Sequence, residues 1–259
     1  GSSLTFAEDE SFTATDDPQI DGDQTSIDGG VGGVVITLGE DASVDLTEAI
    51  LTNVTGVVLG DGSELSLTMA QAAEIGPENF SIATGDTADL NLTGLDGEPF
   101  SVADYADGIS VAVLTVADLP EVTLHPDTDL TGIGSLSVHA GTVLTMTAAQ
   151  FQQLDGAGTI VGIGGTTDFT VNITDLTQDD AEFDDSDLPG GTEGLDLSGV
   201  TADDATITMA EDIELVAGDS LGGFDVVIGD GMTLTLADLL QADGLDIGGG
   251  TGTTLKFTD

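Results

Sequence analysis

A short unit recurs along this chain: a glycine turn, a strand in which apolar residues alternate with Thr or Ser, then a helix start rich in Ala, Gln and Leu. It stands at residues 60–71, 140–150 and 229–238, with a weaker copy at 39–50. Alternation at period two marks half-buried strands. Self-similarity over tens of residues selects architectures in which each repeat stacks on its neighbour. Further alternating segments surround the copies, at 135–138, 158–164, 168–173, 224–228, 244–247 and 254–257. Short strands joined by glycine turns and an occasional helical turn predict an all-β fold, a β-solenoid-like stack with a few short helices. Small aliphatics would fill its interior, and Thr, Ser and Asp would face out. Tandem β-sandwich modules are the alternative, and the Ala-Gln helices argue against them.

Charge narrows the habitat. The chain carries 49 acidic residues and one basic residue, Lys256, for a formal net charge of −48, so salt bridges cannot hold it together. Such a particle repels itself unless cations screen it, which makes divalent cations the first expected partner. Even so, 39% of residues are hydrophobic and only 19% are charged, unlike a disordered acidic tail. The apolar residues are mostly Leu, Val, Ile and Ala, with no Trp and one Tyr, so the core is expected to be built from aliphatic layers. The absence of Cys excludes disulfides, zinc thiolates and thiol nucleophiles. No apolar run approaches the roughly 18 residues of a spanning helix. Nucleic acid and anionic membranes are disfavoured partners, because both are bound through basic side chains.

Composition shifts suggest an acidic lead-in over residues 1–30, a repeat-containing β unit over 31–178, an acidic loop or hinge over 179–194, and a final β unit over 195–259. The last is expected to continue the same fold. Residues 96–99 and 119–121 bracket a less regular middle. Gly1-Ser2-Ser3 reads as a cloning remnant rather than a signal peptide, and residues 255–259 end inside a strand, so the native polypeptide is expected to extend further.

The run Leu-Thr-Met-Thr-Ala-Ala-Gln-Phe at 144–151, followed by a Gly-x-Gly turn and Thr-Asp-Phe-Thr-Val-Asn-Ile-Thr at 167–174, resembles repeats of very large secreted bacterial surface proteins. These are adhesins, S-layer-like proteins and calcium-dependent relatives exported by type I secretion. The resemblance covers about half the chain and is strongest over residues 135–176. It implies an extracellular location, a structural or adhesive role and calcium dependence, and it transfers no catalytic residue. Residues 249–257 approach the glycine-rich nonapeptide calcium repeat, but Thr254 occupies the usual Asp position and the copy stands alone. They read as a glycine turn entering a strand.

Calcium takes hard oxygen ligands from carboxylates and carbonyls. Three Asp-x-Asp pairs are candidate ligands: Asp21 with Asp23, Asp127 with Asp129, and Asp185 with Asp187, the last joined by Asp184 in the crowded loop 179–187. None completes an EF-hand loop, and solvated acidic turns are the competing reading. His125 and His139 lie outside metal or catalytic spacings and read as turn or surface residues. Paired carboxylates could serve a polysaccharide hydrolase. Sugar sites want aromatic platforms, however, and lyases acting on anionic polysaccharides want Arg or Lys, so no enzyme activity is expected. No Gly-x-Ser-x-Gly elbow is present. Ice binding would need strict Thr columns, which the sequence does not display.

The expectation is therefore a non-enzymatic structural or adhesive segment of an extracellular bacterial surface or matrix protein, in a biofilm or S-layer setting, stabilised or assembled through calcium. Self-association into filaments or a lattice, and glycan binding, are further expected interactions. The alternatives are a carbohydrate-binding or carbohydrate-hydrolysing β-helix domain, and a halophile-adapted acidic structural protein.

Overall fold

The computed structural model describes residues 2–6, 11–13, 25–154, 159–177, 204–215, 225–237 and 246–257. They fall into two compact units. The first groups Gly1–Leu95, Ser101–Ala117 and Gly132–Gly134. In chain order it carries β1 (Ser2–Phe6), β2 (Ser11–Thr13), β3 (Ser26–Asp28), β4 (Val34–Leu38), β5 (Ser43–Asp45) and β6 (Ile50–Thr52). There follow β7 (Val54–Leu59), β8 (Glu64–Thr68), α1 (Met69–Ile75), β9 (Phe80–Ile82), β10 (Ala88–Leu95) and β11 (Ile109–Val116). The supposedly irregular middle thus contains an eight-residue strand, β11.

Pairing in this unit is parallel. One ladder runs β1, β4, β7, β9; a second runs β2, β5, β8, β10, β11; β3 pairs β6. Val44 faces Leu65, and Leu65 faces Leu90, and paired residues in this unit lie 20 to 32 positions apart. Immunoglobulin-style sandwiches are antiparallel, and these ladders are not.

The second unit groups Asp96–Phe100, Asp118–Thr131 and Ser135–Asp259. It carries β12 (Glu121–Thr123), most of β13 (Ile133–Val138), β14 (Val143–Thr147), α2 (Ala148–Gln153), β15 (Thr159–Gly162) and β16 (Thr170–Leu176). Next come β17 (Asp204–Met209), β18 (Ile213–Leu215), β19 (Asp225–Ile228), β20 (Thr233–Leu236), β21 (Ile247–Gly249) and β22 (Thr254–Phe257). The long ladder is β12, β14, β16, β17, β19, β21; β18, β20, β22 form another, and β13 pairs β15, again parallel. As expected, residues 249–257 form a turn entering a strand.

Alternation becomes layering. In β8 and β10, Leu65, Leu67, Leu90 and Leu92 are fully buried, and register sets Leu90 against Val111 and Leu92 against Leu114, both also fully buried. The residues between them face out. Each buried Leu contributes roughly 1.5–3 kcal/mol relative to exposure, and like-on-like columns repeat this along the ladder.

The repeats fold as turn, strand and helix at residues 60–71 and 140–150, and the helix starts where a Thr stands three residues before a Gln. Thr68 Oγ1 accepts from Gln71 N (3.1 Å) while Gln71 Oε1 accepts from Thr68 N (2.7 Å), a reciprocal cap at the start of α1. Thr147 and Gln150 make the same pair at α2. The copy at 39–50 has no such Gln. There Asp45 Oδ1 accepts from Thr47 N and Oγ1, and a turn replaces the helix.

Candidate functional site

The acids concentrate at turns and exposed strand positions, and the structure shows what several of them bind. Asp61 Oδ1 accepts from Thr87 N (3.0 Å), Asp212 Oδ1 from Thr233 N (2.7 Å), and Asp230 Oδ1 from Thr251 N (2.7 Å). Each carboxylate therefore satisfies a backbone donor 21 or 26 residues further along. Backbone bonds reinforce the same turns, from Asp41 N to Asp61 O, Gly62 N to Thr87 O, and Gly231 N to Thr251 O. Turn sits on turn, with Asp as the tie.

Hydroxyls do similar work between strands. Thr55, Ser81, Ser110, Thr142 and Thr174 each donate to a carbonyl of the preceding strand or loop, Val34, Val57, Ala88, Leu119 and Met146. Outward columns follow from register: Thr68, Thr93 and Thr115 align across β8, β10 and β11. That Thr column was invisible in the sequence because the spacing changes from 25 to 22 residues between its members.

A column with two adjacent acids on a strand face is also a product of register. Ser43, Glu64, Asp89 and Ser110 lie side by side on β5, β8, β10 and β11. Neighbouring carboxylates on adjacent strands repel. Donors offset this: Ser43 Oγ to Glu64 Oε2 (3.4 Å), Asn91 Nδ2 to Glu64 Oε1 (2.5 Å) and Ser110 Oγ to Asp89 Oδ1 (2.6 Å). Both acids are exposed on an open sheet face. The pair can attract a cation; without an enclosing cavity it is not arranged as a general acid and base.

Of the predicted ligands, Asp127 and Asp129 are described. Asp129 Oδ1 accepts from Thr131 N (3.0 Å), which closes its own turn, and Asp129 N donates to Phe100 O. Asp127 Oδ2 lies 3.6 Å from His125 Nδ1, which also accepts from Asp127 N (3.1 Å). The two side chains serve different partners. Among the described residues, no three His, Asp or Glu side chains converge to hold a metal. Asp21, Asp23, Asp184, Asp185 and Asp187 lie outside the described residues. The other histidine, His139, has Nδ1 4.0 Å from Asp118 Oδ1 at the end of β13.

A depression of about 200 Å³ is lined by Leu51, Asn53, Val54, Gln71, Glu74 and Ile75, where Glu74 is the one titratable group. The one Tyr, Tyr105, packs edge-on against Phe80 at 5.2 Å, and burial, then the charge of Asp104, pushes its phenol up to about 12. Neither place assembles a reactive constellation. No family model matches the chain, and no curated protein or solved structure matches it.

Proposed function

We propose that this chain is a non-enzymatic structural or adhesive segment of an extracellular bacterial surface or matrix protein, folded as a β-solenoid and stiffened by calcium. The observation that carries the reading is the pairing itself. In both units, parallel strands meet their successors after circuits of 19 to 34 residues, with aliphatic columns inside. Stacks of this kind suit mechanical roles, since each repeat is stabilised by its neighbours. Carboxylates left on the turns then face a medium in which cations must screen them.

A second reading is favoured by the turn geometry. Asp61, Asp129, Asp212 and Asp230 spend a carboxylate oxygen on backbone N–H groups, and no three-ligand group is found among the described residues. This suits a halophile-adapted acidic protein with a diffuse counterion cloud. Thermal melting by circular dichroism at low ionic strength separates the two. Under the calcium reading, chelator lowers the melting temperature and micromolar to millimolar Ca²⁺ restores it. Unchanged melting in chelator, with stabilisation by NaCl alone, overturns calcium in favour of the halophile reading. An elongated particle in small-angle scattering is expected of the solenoid, and a compact globule would sink it.

A further inference from the structure

We infer that Asn53 and Asn79 are N-glycosylation sites, two neighbouring acceptors in the first unit that take sugar from a glycosyl diphosphate donor. The chain contains four asparagines, and each stands two residues before Thr or Ser with no Pro between: Asn53-Val54-Thr55, Asn79-Phe80-Ser81, Asn91-Leu92-Thr93 and Asn172-Ile173-Thr174. Asn-x-Ser/Thr is the acceptor pattern for N-linked sugars, and its use requires an exposed segment. The inference holds whether calcium or a diffuse ion cloud screens the charge.

The fold separates the four. Asn53 and Asn79 are exposed, and each immediately precedes a strand, β7 and β9, which are neighbours in one ladder. Thr55 is exposed as the extra residue of a bulge, since Val34 pairs Val54 while Val35 pairs Gly56. Ser81 is exposed on β9, the last strand of its ladder. Asn172, in contrast, is half-buried inside β16 between Thr145 of β14 and Thr206 of β17, and the Ile173 that follows it is fully buried. A transferase could reach that segment only by opening two ladders.

The amide nitrogens differ in the same sense. A side-chain amide has two N–H groups, and attachment of a sugar uses one. Asn53 Nδ2 donates to Asp28 Oδ1 (3.3 Å) and Asn79 Nδ2 to Ile75 O (2.6 Å), so each can keep its bond and release the other hydrogen. In the transfer, Nδ2 bonds to the anomeric carbon and the bond from that carbon to the diphosphate oxygen breaks. The diphosphate leaves with the electron pair, and a base of the transferase takes the proton. Asn91 Nδ2 is engaged twice, by Glu64 Oε1 and by Ser66 Oγ (3.5 Å), and its Oδ1 is buried.

The two acceptors share surroundings. Asn53 lines the depression described above, and Asn79 is bonded to Ile75, another of its lining residues. Val31, fully exposed, stands on a loop that Gly29 N to Thr52 O (3.0 Å) and Val34 N to Asn53 O (2.9 Å) fasten to the turn of Asn53. A glycan on Asn53 would shield this apolar side chain.

Glycopeptide mapping tests this on the full chain recovered from the cells that make it natively, cut by an acid-specific protease because one basic residue leaves trypsin a single site. Asn53 and Asn79 should carry hexose-based glycans, and Asn91 and Asn172 none. Thr55→Ala should empty Asn53 alone and Ser81→Ala should empty Asn79 alone, with β-sheet circular dichroism retained, while Thr55→Ser should keep the sugar. A single hexose or a ladder of hexoses identifies a nucleotide diphosphate sugar as donor, and one fixed oligosaccharide identifies a polyprenyl diphosphate. Bare Asn53 and Asn79 in the natively made chain overturn the inference. So does sugar on Asn53 that survives Thr55→Ala, or equal occupancy of Asn91 and Asn172.

Discussion

Gln150 illustrates how much one side chain can bind in this fold. Its Oε1 accepts from Thr147 N, and its Nε2 donates to His125 O (2.7 Å) and Thr128 O (3.2 Å), while the residue is 3% exposed. Gln71 repeats the arrangement with Leu46 O and Ala49 O. Gln150→Ala should cost about 2–4 kcal/mol in urea denaturation, because buried carbonyls lose their donor. Thr147→Ala, which removes only the cap, should cost about 1 kcal/mol. Ser63 is the opposite case: it is fully buried, and its hydroxyl has no partner among the described residues. At the corresponding place after the preceding turn stands Ala42, and Thr142 at the third copy donates to Leu119 O. Ser63→Ala should therefore stabilise by about 1 kcal/mol, read as a higher urea midpoint with unchanged slope. Tyr105 carries a pH signature. Its phenol is pushed from 10.0 to about 12 in the folded state. Stability is whole below the unfolded value near 10 and falls as pH rises toward 12, by about 2–3 kcal/mol at 1.36 kcal/mol per unit. Tyr105→Phe should flatten that decline.

Turns decide whether an element can stack on the next. Gly62 sits at φ +69, and a Cβ there would collide with Asp41 Oδ1 of the neighbouring turn. Gly141, at φ +78, faces open space. Both alanine substitutions bear the left-handed strain of about 1 kcal/mol or slightly more, but Gly62→Ala must also displace Asp41. Its melting temperature should fall further than that of Gly141→Ala. At this scale the sequence was informative where Ala and Gln after an alternating strand announced a helix start and where glycine announced a turn, while the Thr-x-x-Gln cap that begins each helix emerged from the structure. It was silent on the partners of Gln71 and Gln150, which lie 22 and 25 residues earlier. The copy at 39–50 looked like another helix start and is a turn, because Asp45 and Thr47 close on each other and Gln71 claims the carbonyls of Leu46 and Ala49.

For the molecule as a whole, position along a ladder should govern the effect of a core substitution. Leu92 is fully buried between Leu67 and Leu114. Leu92→Ala should cost about 2–5 kcal/mol through lost burial and a cavity. Leu255→Ala, the same chemistry on an end strand 40% exposed, should cost well under half as much in the monomer. Equal costs would mean that the end is covered in solution.

From the sequence alone came the period-two strands, the glycine turns, the aliphatic composition of the core and the placing of acids outside it, since these follow from local backbone preference and the side-chain alternation of a strand. Register belonged to the tertiary structure. Parallel partners are separated by circuits of unequal length, so no fixed spacing reveals that Glu64 lies beside Asp89, that Thr68, Thr93 and Thr115 form a column, or that Asp61 binds Thr87 N. The acids looked like ligands awaiting cations. Several are the acceptors of their neighbours' backbone, and only the stacking of turn upon turn could show it.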